Sequence, residues 1–176
     1  MSFFATSTFT LLHVALSLIG IVAGLVALFG LFRNNPLNSW TLIFIVTTVA
    51  TTLTGFLFPF RGFTPAIGTG IVSSVVLALT ILARYAFNMA GPWRWIYVIA
   101  AVVSLYLNCF VLVVQAFLKV PALHALAPQG NEPAFVLSQG LVLVLFVIAG
   151  LVAVRRFQLN RTPESGSAKP ARSTPV

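Results

Sequence analysis

The chain has 176 residues, of which 59% are hydrophobic and only 7% charged, whereas soluble domains run at roughly 45–50% apolar and about 25% charged. A mean hydropathy of +1.04 excludes a water-soluble globular domain and is what several membrane-crossing segments produce. Ten Lys and Arg against two Asp and Glu give a formal charge of +8, but no stretch interleaves aromatics with basic residues as a single-strand groove would, so no nucleic-acid partner is expected.

Five apolar runs, at residues 9–32, 39–60, 66–89, 93–118 and 135–155, each approach the roughly 20 residues needed to cross hydrocarbon at about 1.5 Å per residue. The fold class expected is therefore all-α, an integral membrane bundle of five transmembrane helices whose termini lie on opposite sides. Asn35-Pro36, Thr64-Pro65, Gly91-Pro92 and Glu132-Pro133 separate the runs and put proline at or near a helix start, where its missing N–H costs nothing. The first run lacks a basic leader and is longer than the apolar core of a signal peptide, so it reads as a retained helix.

Counting basic residues by side gives Arg33, Arg84, Arg94, Arg155, Arg156, Arg161, Lys169 and Arg172 against Arg61 and Lys119. The excess of Lys and Arg on cytoplasmic loops then puts the N-terminus outside and the C-terminus in the cytoplasm. Trp40, Trp93 and Trp95 fall at the basic end, and Phe56, Phe58, Phe60 and Phe63 at the other, as interfacial aromatic belts do. The single transmembrane bundle ends at Arg156; residues 157–176 are polar, basic and Pro- and Ser-rich, and are expected to form a disordered cytoplasmic tail.

Helices in lipid meet through small residues spaced four apart. Ser17, Gly20 and Gly24 form such a ridge on the first span, Thr47, Thr51 and Gly55 on the second, and Ala66, Gly70, Ser74 and Ala78, the longest, on the third. The threonines of the second span can satisfy their hydroxyls on carbonyls one turn back.

The richest polar constellation lies on the fourth span, where Ser104, Asn108, Gln115 and Lys119 share a face. Level with it on the outer side are His13 and Gln139, beneath a connection that adds His124 and Glu132. His13, Asn108, Gln115, Lys119 and Gln139 are thus the candidate lining of a ligand pocket open to the outside. Lys119 also suits snorkelling at a helix end, and Glu132 suits the positive end of a helix dipole. His13 and His124 are the candidate ligands for a metal or a b-type haem, and they lie on one membrane side, so two haems spanning the bilayer are excluded; for copper, Met1 and Met89 are far apart and Cys109 is mid-span.

Several chemistries lack their residues. No carboxylate lies in a span, no Cys-x-x-Cys accompanies the lone Cys109, and no Gly-x-Ser-x-Gly, His-Glu-x-x-His or phosphate-binding glycine loop occurs. An enzyme is not expected. The leading expectation is a non-enzymatic accessory, assembly or self-associating bundle, with the lipid bilayer and a membrane protein or a second copy as partners and no cofactor. A small transporter or binding protein for an apolar or weakly polar molecule, and a haem- or quinone-binding redox module, are the alternatives.

The run LYLNCFVLVVQAFLKVPALHALAPQGNEPAFVLSQG, Leu105 to Gly140, resembles a pattern found in uncharacterised small bacterial multi-spanning inner-membrane proteins, the likeness concentrating between Tyr106 and Gln139. The resemblance implies a bacterial inner membrane and carries no activity with it.

Overall fold

Gly30 and Asn34 decide where the first helix, α1 (Ser7–Phe32), stops. Asn34 takes a left-handed φ of 53°, its N–H reaches the Leu31 carbonyl at 3.1 Å, and the Asn35 N–H reaches the Gly30 carbonyl at 2.9 Å. This paired closure satisfies carbonyls that the helix end would otherwise orphan, and asparagine tolerates the left-handed position. The chain turns through Pro36 into α2 (Asn38–Phe56).

The computed structural model describes residues 7–58 and 65–157. Beyond α2 come α3 (Pro65–Ile81), which runs on into one π-helical turn (Leu82–Ala86), then α4 (Trp93–Lys119), the short α5 (Pro121–Leu126) and α6 (Pro133–Phe157). Among the described residues all regular structure is helical, and five of the helices are long and apolar enough to cross a membrane. The protein is an all-α, multi-pass membrane bundle. Pro65, Pro121 and Pro133 open α3, α5 and α6, and Pro92 immediately precedes α4.

Consecutive helices pair as α1 with α2, α2 with α3 and α3 with α4, and α4 returns to α1 to close a four-helix ring. α6 lies outside the ring, against α4 and α1. Its core centres on α4, whose Tyr97, Val98, Ala101, Val102 and Leu105 pack with Ala23 and Leu28 of α1, Phe44 and Ile45 of α2, and Ala153 and Phe157 of α6. In lipid such contacts are held by van der Waals packing, since the surroundings are as apolar as the core.

The ridge on α1 packs as its spacing predicts. A Cβ on Gly20 would come within 3.1 Å of Thr47 Oγ1, and one on Gly24 within 2.6 Å of Leu105 Cδ1 and 2.8 Å of Phe44 Cδ2. α3 differs from expectation. Gly70 meets the Phe56 ring, but Ser74 and Ala78 are exposed, and the buried face carries Leu77, Thr80, Ala83 and Arg84. A hydroxyl and a guanidinium are costlier to leave in hydrocarbon than a ridge of small residues, so the polar groups set the rotation of the helix.

Four boundaries also differ. α2 ends at Phe56 rather than at residue 60, the Leu57 N–H turning back to the Thr54 carbonyl at 3.1 Å. α3 with its π turn ends at Ala86 rather than at residue 89, because Asn88 and Met89 are both left-handed, with φ of 47° and 54°. The connection after Lys119 contains α5, started by Pro121. Phe157, read from the sequence as the first residue of the tail, is the last of α6 and is buried against Tyr97. The rest of the proposed tail lies outside the described residues, as do Pro59, Phe60, Arg61 and Phe63.

Candidate functional site

Five candidate pocket residues were expected near the α1 start and the α4 end. His13 is half-buried on α1, where its Nδ1 lies 2.8 Å from Thr54 Oγ1 and its ring meets Phe58 edge-on. The Thr54 hydroxyl has a single proton, and while this is given to the Ala50 carbonyl at 2.7 Å, His13 Nδ1–H must be the donor. Asn108 gives Nδ2–H to Thr48 Oγ1 at 3.2 Å, and Gln139 gives Nε2–H to the Phe110 carbonyl at 3.2 Å. Gln115 and Lys119 are exposed. Three of the five therefore bond to three different partners, and none of those bonds joins one of the five to another.

The hydroxyls around this layer behave unevenly. Thr47 and Thr54 return to carbonyls four residues back, as expected, whereas Thr51 Oγ1, Ser104 Oγ and Gln139 Oε1 are buried with no partner. The Asn108 bond occupies Thr48, so the α2 threonines divide between back-bonding, cross-helix bonding and neither. His124 is exposed on α5.

Glu132 sits just before α6 and is its N-terminal boundary in two senses. Its carbonyl accepts from the Phe135 and Val136 amides at 3.0 and 3.1 Å, while its carboxylate turns back to accept from the Gln129 and Asn131 amides at 2.9 and 3.0 Å. The amide of Gln129, foremost, holds the carboxyl below its ordinary value. A depressed carboxylate contributes order that is present above its ordinary pKa and is lost as pH falls through the depressed one. The amide resonances of Gln129 and Asn131 are therefore expected to shift together on acidification, with a midpoint below the ordinary carboxylate range; a midpoint at the ordinary value, or independent shifts, would count against the arrangement.

The opposite end of the bundle holds a site that charge counting by side passed over. Arg84, in the π turn, is only 8% exposed. Its Nη1–H points to the Tyr97 hydroxyl at 3.1 Å and its Nη2–H to Asn38 Oδ1 at 2.7 Å, which ties α3 to α4 and α2. The guanidinium also lies 5.4 Å from the Tyr97 ring centroid. Tyr97 is itself 1% exposed, and Thr41 is buried at the same level of the bundle. A cleft of about 460 Å³ opens beside this cluster, lined by Asn38, Ser39, Leu42, Arg84, Tyr85 and Met89. Wide turns of this kind often sit at functional positions.

The same end gathers most of the described basic residues. Arg94 stands 5.2 Å over the ring of Phe157, and Arg33 stands 4.3 Å over Phe29. Arg155 and Arg156 close α6, and Trp40 and Trp95 are exposed nearby. In the sequence Arg84 is one more basic residue near a span end; only its depth and its bonds to Asn38 and Tyr97 set it apart. A second signal was present but mute: Leu137, Leu141, Val144, Ile148 and Leu151 alternate spacings of four and three along α6, and in the fold all five are more than half exposed.

Among the described residues no group of three or more His, Cys, Asp and Glu side chains could hold a metal ion. Comparison of the chain with protein-family models, with curated proteins and with solved structures finds no match.

Proposed function

We propose that the protein is a non-enzymatic membrane component that works by association, and that α6 is its contact face toward a second copy of the chain. The observation that carries this reading is the α6 seam. Apolar side chains repeating at alternating four and three along a helix present one continuous line that a partner helix can meet at a shallow left-handed crossing. Of α6 only Ala153 and Phe157 are buried, so the line of Leu137, Leu141, Val144, Ile148 and Leu151 faces outward. Gly140 beside it has nothing within 4 Å of where a Cβ would stand, which leaves room for close approach of another backbone.

The clustering of Arg33, Arg84, Arg94, Arg155 and Arg156 at one end supports a cytoplasmic C-terminus, by the bias of basic residues toward that side. The resemblance of the Tyr106–Gln139 run supports a bacterial inner membrane as its location. Size measurement of the protein gently extracted in mild detergent tests the association: a dimer of the chain is expected, and a complex holding a single copy with another membrane protein would contradict the second-copy contact. A strict monomer that brings no protein with it contradicts the proposal.

A further inference from the structure

Independently of how α6 associates, the Arg84 cleft has the make-up of an anion site. A guanidinium carries five N–H donors and a permanent charge, and Arg84 spends two donors on neutral oxygens, those of Tyr97 and Asn38. The chain has two carboxylates. Glu132 lies before α6 at the other end of the bundle, and Glu164 lies outside the described residues. Among the described residues Arg84 has no carboxylate partner; a buried charge without one is costly, and cation–π and hydroxyl contacts offset only part of that cost.

The surroundings define the missing partner. Arg84 lines the cleft while being almost wholly buried, so it charges the cleft wall from behind. Asn38 uses its carbonyl oxygen on Arg84, which leaves its amide N–H donors at the same wall, and Ser39 and Tyr85 add exposed hydroxyls. Leu42 and Met89 make the remaining wall apolar. Exposed Trp40 and Trp95 mark this end as the depth of lipid headgroups. Donor-bearing side chains lining one cleft with a guanidinium fit an oxyanion with several acceptor oxygens, and guanidinium–phosphate pairing is strong and directional.

We propose that this cleft binds one phosphate-type oxyanion against Arg84, with Asn38 and Ser39 as further donors. The phosphate of an anionic lipid headgroup and free inorganic phosphate share that chemistry. The test uses the full chain purified in a neutral detergent, with melting temperature followed against inorganic phosphate at ionic strength matched with sodium chloride. In parallel, retention of phosphatidylglycerol against phosphatidylcholine is measured by native mass spectrometry after extraction from mixed nanodiscs.

Stabilisation by phosphate, preferential retention of phosphatidylglycerol, or both is expected; the first alone assigns the site to the free anion and the second alone to the headgroup. Arg84→Met is expected to weaken the effect by about tenfold or more, the size of one lost charge-assisted bond. Ser39→Trp, at an exposed rim position that leaves the Arg84 bonds in place, should weaken it by filling the cleft and serves if Arg84→Met fails to fold. No response to phosphate together with equal retention of the two lipids overturns the proposal, as does an undiminished response in the Ser39→Trp protein.

Discussion

Tyr97→Ala is expected to destabilise the bundle by about 3 kcal/mol, toward the low end of the range for truncating a buried aromatic. Tyr97 is 1% exposed and sits in the core cluster between α1, α2 and α6. In water, the loss would combine a transfer term with a cavity term; in lipid the transfer term shrinks, because the unfolded reference is also surrounded by hydrocarbon, and the lost contacts dominate. Tyr97→Phe keeps the ring and removes only the hydroxyl that accepts from Arg84. Its cost should be about 1–2 kcal/mol, as for a hydrogen bond to a charged group weakened by the alternatives available within a membrane. Unfolding in mixed micelles with increasing denaturing detergent measures both. Equal losses for the two variants would mean that the ring contributes nothing beyond its hydroxyl.

Gly30→Ala should cost about 1–3 kcal/mol, the usual range for forcing an extra carbon into a packed site. A Cβ there would stand 2.6 Å from the Asn35 carbonyl oxygen and 2.9 Å from Leu37 Cγ. The oxygen belongs to the backbone of the turn that closes α1, so relief requires moving the turn and the Asn35-to-Gly30 bond with it. Gly24→Ala is the informative comparison. Its obstacles are the end of the Leu105 side chain and the edge of the Phe44 ring, both bordering a small void beside Gly24, and alanine gains about 1 kcal/mol over glycine in a helix interior. Gly24→Ala is therefore expected to stay within about 1 kcal/mol of the parent protein. The same micelle titration ranks the two, and a larger loss at Gly24 than at Gly30 would contradict the packing described.

Much of this fold was legible because membrane spans announce themselves by length and apolarity, and because Pro65, Pro92 and Pro133 punctuate them. The ridge on α1 was legible for a similar reason: glycines four apart offer a single way to bring helices close. The ridge on α3 misled because spacing carries no information about competition between faces, and Thr80 and Arg84 won the buried side. α5 was hidden by its length, since six residues after Pro121 show too little periodicity to separate from a loop.

The candidate sites were less legible. The outer polar residues were chosen by depth and type, yet depth along a helix does not say to whom a side chain bonds: His13 found Thr54 and Asn108 found Thr48, while Gln115 and Lys119 stayed exposed. Arg84 was counted with the other basic residues near span ends, because snorkelling and burial differ by a side-chain direction that the sequence does not encode. The seam on α6 has its 4-3-4-3 spacing in the sequence, but an apolar line on a membrane helix acquires meaning only once the fold leaves it uncovered.

The most direct measurement is a disulfide cross-linking scan of α6 in intact membranes, in a Cys109→Ser background with single cysteines from residue 136 to 152. If α6 faces a second copy, cross-linked dimer should peak at 137, 141, 144, 148 and 151, repeating every three to four residues, and a cysteine at exposed Val75 on α3 should give little. Cross-linking without that period, or no more on α6 than at Val75, would contradict association through this helix.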